Sequence, residues 1–228
     1  MAQPWQTIET VDTPDGVLEL RRRGEHDFLI VINNRVLMNS SANRSELALG
    51  ELACKAAAVR PLPRVLIGGL GVGLTLRAAL DSLPKTARVI VAELNPVVVK
   101  WCRGPLAGLT ANAVDDPRVL VRIEDVSAVI KKAAQSHDAE RFDAIILDLY
   151  EGPHARTDAV NDPFYGSRAL KATAAALSPG GVFAVWGESP DTAFEKRLVA
   201  AGFSVNVQRP GRGGLRHVVY VAQKQAAR

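Results

Sequence analysis

Arg64-Val65-Leu66-Ile67-Gly68-Gly69-Leu70-Gly71-Val72-Gly73 opens as a short aliphatic run and breaks into glycines. A run that short, ended by a turn signal, suits a strand buried on both faces. The glycines let the backbone turn sharply, and Leu74–Ser82 resumes with helical spacing. The same strand, loop and helix unit recurs downstream. Strands are expected at Arg88–Glu93, Val119–Ile123, Phe142–Leu147 and Val182–Trp186. Helices are expected at Val97–Gly104, Val126–Ala134, Arg168–Leu177 (stopped by Ser178-Pro179-Gly180-Gly181) and Thr192–Ala201. A further helix, Ser45–Val59, precedes the first strand. Phe203–Val207 and His217–Ala222 follow as a strand pair with no helix between them, which predicts an antiparallel edge strand. Strands alternating with helices imply an α/β fold: a Rossmann-like, doubly wound, mostly parallel sheet with room for seven strands.

Residues 1–45 follow a different pattern. Thr7–Val11 and Val17–Arg21 flank Pro14-Asp15-Gly16, and Phe28–Ile32 and Arg35–Met38 flank Asn33-Asn34. These predict two hairpins, the second closed by asparagines, which tolerate positive φ. Such an antiparallel unit is too small for a core of its own. The expected division is therefore residues 1–45 as an N-terminal β-hairpin unit and 46–228 as the ligand-binding domain.

Composition narrows the function classes. The 228 residues are 47% hydrophobic and 23% charged, which excludes a disordered chain. Lys and Arg number 28 against 24 Asp and Glu, a net +4 with no concentrated patch. Arg21-Arg22-Arg23 is the densest run, and Glu25 and Asp27 follow at once, as on a solvated strand end. A nucleic-acid partner is not expected. Two cysteines, Cys54 and Cys102, supply neither a disulfide framework nor metal-site spacing, and fit a reducing, cytoplasmic setting. His26, His137 and His217 also lack ligand spacing, so no metal is expected. No apolar stretch suits a membrane span, and the N-terminus shows no signal-peptide pattern.

In parallel α/β sheets, ligands bind at the carboxyl ends of the strands, and four strand ends here carry suggestive residues. Gly69-x-Gly71 would need a glycine at position 74 for the dinucleotide fingerprint, and Leu74 stands there. The spacing Gly69-x-Gly71-x-Gly73, with Gly68 before it, is the form common for S-adenosylmethionine-type ligands, which have no pyrophosphate to cradle. Glu93 ends the second strand, where a carboxylate can accept both hydroxyls of a ribose. Asp125, before Val126, either accepts from an adenine amino group or caps the helix that starts there. Asp148 leaves the fourth strand, with Leu149, Tyr150 and Glu151 behind it. Two carboxylates beside a sulfonium could hold an amine and accept its proton.

The glycine loop, Glu93, Asp125 and the run Asp148–Pro153 resemble the spermidine synthase (polyamine aminopropyltransferase) family, and the resemblance extends over nearly the whole chain. It implies a methyltransferase-like Rossmann sheet that binds decarboxylated S-adenosylmethionine as co-substrate and transfers its aminopropyl group to putrescine or a related amine. It further implies that Glu93 binds ribose, that Asp125 with Val126 meets the adenine, and that Asp148 is the general base, with Tyr150 and Glu151 beside it. A homo-oligomer, such as a dimer, is also implied.

The departures from the family pattern lie on the amine side. The family loop carries an Asp where Gly71 stands, and that Asp helps hold the aminopropyl ammonium. Its Tyr-His-Glu segment becomes Arg44-Ser45-Glu46, and its Asp-Ser-Ser-Asp-Pro becomes Asp148-Leu149-Tyr150-Glu151-Gly152. Losing an acidic group beside the ligand tail removes a repulsion against the carboxylate of intact S-adenosylmethionine. Methyl transfer to a small molecule is therefore an alternative, as are RNA methylation and a non-catalytic nucleoside-binding protein.

The remaining motifs read as structure. Asn161-Asp162-Pro163-Phe164-Tyr165 is a turn into the next helix, with Phe164 and Tyr165 packing or walling a pocket. His154 is a surface residue, Trp101 and Trp186 pack on helix and sheet, and Arg209, Arg212 and Arg216 flank a solvated glycine-rich loop (Gly211, Gly213, Gly214).

Overall fold

In β5 (Arg64–Gly68) Val65 and Ile67 point to one face and Leu66 to the other, and all three are fully buried. Both faces of this strand must therefore be covered. It pairs in parallel with β6 (Arg88–Glu93) on one side and β8 (Phe142–Leu147) on the other. The computed structural model describes residues 3–136, 140–210 and 217–225. Its larger sheet adds β7 (Val119–Ile123), β9 (Leu177–Gly187), β10 (Phe203–Gln208) and β11 (Val218–Lys224), in the order β10-β11-β9-β8-β5-β6-β7.

Two apolar layers cover the two faces. Helices α1 (Arg44–Cys54), α2 (Leu74–Ser82) and α3 (Pro96–Arg103) pack Leu49, Leu76 and Trp101 against Val65, Ile67 and Ile146. Helices α4 (Val126–Gln135), α5 (Ser167–Ala176) and α6 (Thr192–Ala200) pack Ile130, Leu170 and Phe194 against Leu66, Ile145 and Phe183. Local chemistry sets the helix starts. Asn95 and Asp125 each accept a backbone N–H two residues on, and Pro96 occupies the first turn of α3. No helix is long and apolar enough to cross a membrane among the described residues.

The N-terminal strands β1 (Gln6–Thr13), β2 (Gly16–Arg23), β3 (Asp27–Ile32) and β4 (Arg35–Asn39) form one four-stranded antiparallel meander. Asn33 and Asn34 both take positive φ, 45° and 63°, as a two-residue hairpin turn requires. The sheet has no separate core. Leu18, Leu20, Phe28 and Ile30 join the same apolar layer as α1, α2 and α3. Glu9 adds a polar clasp, accepting from Trp101 Nε1 at 2.9 Å and from Lys100 Nζ at 2.7 Å.

Three expectations are corrected. The antiparallel strand is not at the edge: β11 lies between β9 and β10 and runs antiparallel to both. Val218, Val219, Tyr220 and Ala222 of β11 are fully buried, so that strand needs a partner on each side, whereas β10 alternates buried and exposed and suits an edge. The helix expected over Ser45–Val59 ends at Cys54 and is followed by a separate 3₁₀ turn, Ala57–Val59. Arg60 precedes Pro61 and is extended, because proline disfavours the helical region for the residue before it. Ser178–Gly181 does more than stop α5. These residues form a wide bulge inside β9, since Phe142 pairs with Leu177 and Ala144 with Val182. His137, Gly211, Arg212, Gly213, Gly214 and Arg216 lie outside the described residues.

The shared core makes a stability prediction. Leu20→Ala should cost about 2–5 kcal/mol, although Leu20 belongs to the small sheet. Urea unfolding followed by tryptophan fluorescence and by far-UV circular dichroism should still give one coincident transition. Two separated transitions would show that the meander folds independently.

Candidate active site

The carboxyl ends of β5, β6, β7 and β8 open onto one cleft of about 340 Å³. Its floor is the loop after β5. At Gly69, φ is +86° and a Cβ would run into the carbonyl of Asp148, so only glycine fits. Gly71 also borders the cleft, and a side chain there would strike the thioether of Met38. Met38 accepts from Val72 N–H at 3.0 Å, and the Cys102 thiol donates to the Gly71 carbonyl at 3.3 Å. Gly68 and Gly73 act one step back. A Cβ on Gly68 would meet Val126 at 2.7 Å, and Gly73 starts α2 with φ +85°. Val126 lines the cleft as well, so it both packs against the loop and closes one wall.

Glu93 is buried at the end of β6. Its carboxylate accepts from Leu70 N–H at 2.9 Å and from Asn95 N–H at 2.8 Å. Burial raises its pKa, and the backbone donors pull it back down. Glu93 therefore braces the glycine loop, a role that strand-end position alone does not reveal. Each oxygen keeps acceptor capacity for a hydroxyl in the cleft. Asp125 caps α4, accepting from Ser127 N–H at 2.8 Å and Ser127 Oγ at 3.0 Å, and it also lines the cleft.

Asp148 sits on the cleft floor, screened from bulk water, with part of its surface open to the cleft. Desolvation, with the charge of Glu46 adding to it, pushes its pKa up to about 7. The Thr75 hydroxyl donates to its carboxylate at 2.6 Å and opposes that rise. Tyr150 lines the same cleft. Its hydroxyl is buried without a hydrogen-bond partner among the described residues, and the Arg35 guanidinium lies 4.7 Å from its ring centroid.

Glu151 is elsewhere. Gly152 packs against the Trp186 carbonyl and turns the chain away, so Glu151 faces Arg35 at 3.8 Å and lines a neighbouring polar depression with His154 and Glu188. Among the carboxylates that line the cleft, the one whose charge acts on Asp148 is Glu46, not Glu151. Glu46, Thr75, Met38 and Trp186 are the site residues that sequence reasoning missed as such. Glu46 had a signal, as the one residue kept from the family's amine-pocket segment. Trp186, read as packing, lines the cleft, and so does Phe164. Asp162 accepts from Phe164 N–H and Tyr165 N–H, which makes Asn161–Tyr165 the expected turn. His154 stays in an exposed loop and accepts from Arg156 N–H.

The strand order, with a glycine loop and a strand-end carboxylate at its centre, defines a Rossmann-like α/β protein of the methyltransferase type. The family model described as the spermine/spermidine synthase domain matches residues 55–201, and the chain belongs to that family. The polyamine aminopropyltransferase of Mycobacterium tuberculosis is 33% identical over 147 residues, covering 62% of this chain and 27% of that protein. Polyamine aminopropyltransferase 2 of Pseudomonas aeruginosa is 26% identical over 186 residues, covering 80% of this chain and 47% of that one. The chain thus spans between about a quarter and a half of these relatives' lengths. The crystal structure of spermidine synthase from Thermotoga maritima shares the fold, with a TM-score of 0.73 at 20% identity, covering 97% of this chain and 74% of that one. A spermidine synthase in complex with the transition-state analogue AdoDATO matches with the same TM-score and identity.

The raised pKa of Asp148 has a stability consequence. The folded state binds this proton more tightly than the unfolded chain, so the contribution is full below pH about 4 and is lost as pH rises through about 7. Between those limits the loss is at most about 1.4 kcal/mol per pH unit. Asp148→Asn should therefore melt higher than the wild type at pH 8 and equally at pH 4. A melting-temperature difference that does not change with pH would refute the assignment.

Proposed function

We propose that this chain transfers the aminopropyl group of decarboxylated S-adenosylmethionine to the amine of a small polyamine acceptor. The observation that carries this is the half-buried Asp148, held by Thr75 and sharing the cleft with Glu46, directly beside the Gly69–Gly71 loop. Family membership supports it. The residues also fit the co-substrate. Gly69 lets the ligand approach the backbone, Glu93 has acceptor capacity for ribose hydroxyls, and Asp125 and Val126 stand where the adenine would lie. The ligand supplies an electrophilic carbon next to a sulfonium.

The chain's own groups do the rest. Polyamine amines are mostly protonated at neutral pH, so transfer onto nitrogen needs a base. Asp148 accepts that proton, and a pKa near 7 suits the task. Asp148 and Glu46 together attract an ammonium, and Trp186, Tyr150 and Phe164 give its methylenes an apolar wall. Residues 1–45 serve as a lid over residues 46–228, with Leu18, Ile30 and Met38 forming the roof of the cleft. The buried, free cysteines Cys54 and Cys102, their thiols pushed up to about 12 by burial, suit a reducing cytoplasm.

The test is a transfer assay with decarboxylated S-adenosylmethionine and putrescine, read as methylthioadenosine release. Asp148→Asn should lower kcat by roughly 10²–10⁴-fold while leaving methylthioadenosine binding nearly unchanged. The rate of the wild type should rise through pH about 7 as Asp148 ionises. Tighter binding of intact S-adenosylmethionine than of its decarboxylated form would overturn the proposal in favour of methyl transfer.

A further inference from the structure

The larger sheet ends at β7, which pairs only with β6. Val89 N–H donates to the Arg118 carbonyl at 2.9 Å, and Glu124 N–H donates to the Glu93 carbonyl at 3.2 Å. By the alternation of a parallel ladder, Leu120 and Arg122 therefore turn their backbone groups towards β6. Those of Val121 and Ile123 turn outwards. Native proteins keep such edges short, charged or covered, because an open edge pairs with other chains. Here Leu120 and Ile123, each 53% exposed, put apolar side chains on both faces of the edge.

A depression flanks this edge on each face. On the α4 side it holds about 350 Å³ and is lined by Arg64, Arg88, Ile90, Leu120 and Arg122. On the α3 side it is lined by Val99, Lys100, Arg103 and Ile123. Lys100 and Arg103 are already paired, with Glu9 and Asp115. Arg118, on the rim of the first depression, is committed to Asp116 and to the carbonyls of Leu80 and Leu83. The other arginines are not compensated. Arg64 and Arg88 stand directly opposite each other in the ladder, where like charges repel. Arg88 and Arg122 have no ion-pair partner, and Arg64 Nε is buried with no hydrogen-bond partner, among the described residues. The α4 side of the edge therefore carries unpaired positive charge around an apolar floor.

We propose that the edge of β7 is a docking site for an extended acidic segment of a partner protein, which adds a strand to the sheet. The inference does not depend on the aminopropyl-transfer reading. Backbone pairing supplies affinity in this mode, and the alternate side chains supply specificity. Side chains on one face of the added strand recur at every second position. On the α4 face they meet Arg122, then Leu120, then the space beside Arg88, which calls for acidic, apolar and acidic residues in turn. The residues between them lie against Val121 and Ile123 and are apolar. The recognised pattern is acidic, three apolar, acidic, and it reads the same in either chain direction. A second copy of this chain fits poorly. Pairing β7 with itself antiparallel about Val121 would set two Arg122 side chains on one face as diagonal neighbours, about 7–8 Å apart.

The probe is a fluorescein-labelled peptide, Ser-Glu-Val-Leu-Val-Glu-Ser with blocked ends, titrated with the full chain and read by anisotropy. Binding should saturate, and the same peptide with Lys in place of Glu should not bind. Arg122→Glu should weaken binding about tenfold, and adding Arg88→Glu should weaken it further. N-methylating alternate peptide nitrogens tests the pairing without altering the protein. A strand sends alternate N–H groups to opposite edges, so one alternation should abolish binding and the other should preserve it. Absence of saturation, binding insensitive to charge, or equal effects of the two alternations overturns the proposal. A solution dimer that Val121→Pro dissociates also overturns it, in favour of a second copy; that variant removes an outward N–H and leaves the ladder to β6. Binding of a single-stranded oligothymidylate that Arg88→Glu abolishes overturns it in favour of a nucleic acid.

Discussion

At the carboxyl end of β5 the backbone of Gly69 passes so close to the Asp148 carbonyl that no Cβ fits between them. That crossing sets the geometry of the whole site. It brings the loop after β5 under the chain leaving β8, so the ligand-facing backbone and the proposed base belong to one rigid corner. Gly69 N–H bonds to the Ala92 carbonyl and Asp148 N–H to the Gly68 carbonyl, both at 2.9 Å, so three strands lock the corner. Glu93 completes it by holding Leu70 N–H. A site built on strand ends in this way keeps its shape without a ligand.

The electrostatics follow from the same enclosure. Glu46, Glu93 and Asp148 all line a largely apolar cleft, and burial raises the pKa of Glu93 and of Asp148. Each carboxylate in such a place raises the cost of ionising the next. A cation entering the cleft reverses this, because an opposite charge at close range favours the ionised form. The cleft is therefore best suited to a ligand that brings positive charge into an apolar surround. Met38 over Gly71 marks a limit to that rule. It puts a thioether against Gly71, the loop position where the resembling family carries an aspartate, so this stretch of the loop adds no carboxylate to those already lining the cleft.

Much of the fold was legible in the sequence because local signals agreed. Residues 64–82 show strand, turn and helix within one window, and Asn33-Asn34 identifies a hairpin by the φ values that asparagine tolerates. What was not legible depends on distance along the chain. Nothing local to Val218–Lys224 says that it inserts between β9 and β10 rather than lying outside them. The chain's turn at Gly152 is set by contact with Trp186 and Gly187, so nearness of Glu151 to Asp148 in sequence did not become nearness in the cleft. Glu46 was visible through the resemblance, but its link to His217 runs through Ser45, 172 residues away from that histidine. No periodicity carries such information.

The inserted position of β11 also bears on how the sheet is completed. β10 leaves the ribosome before β11, yet in the finished sheet it has no bond to β9 and pairs only with β11. Until β11 arrives, β9 shows an open edge and β10 has nowhere to dock. The strand then enters as a wedge that makes two ladders at once, with six residue pairs on each side. His217 stands immediately before that strand, and its Nδ1 lies 3.1 Å from the Oγ of Ser45, which donates to Glu46. The strand that closes the sheet is thus continuous with the residue that reaches Ser45 behind the cleft.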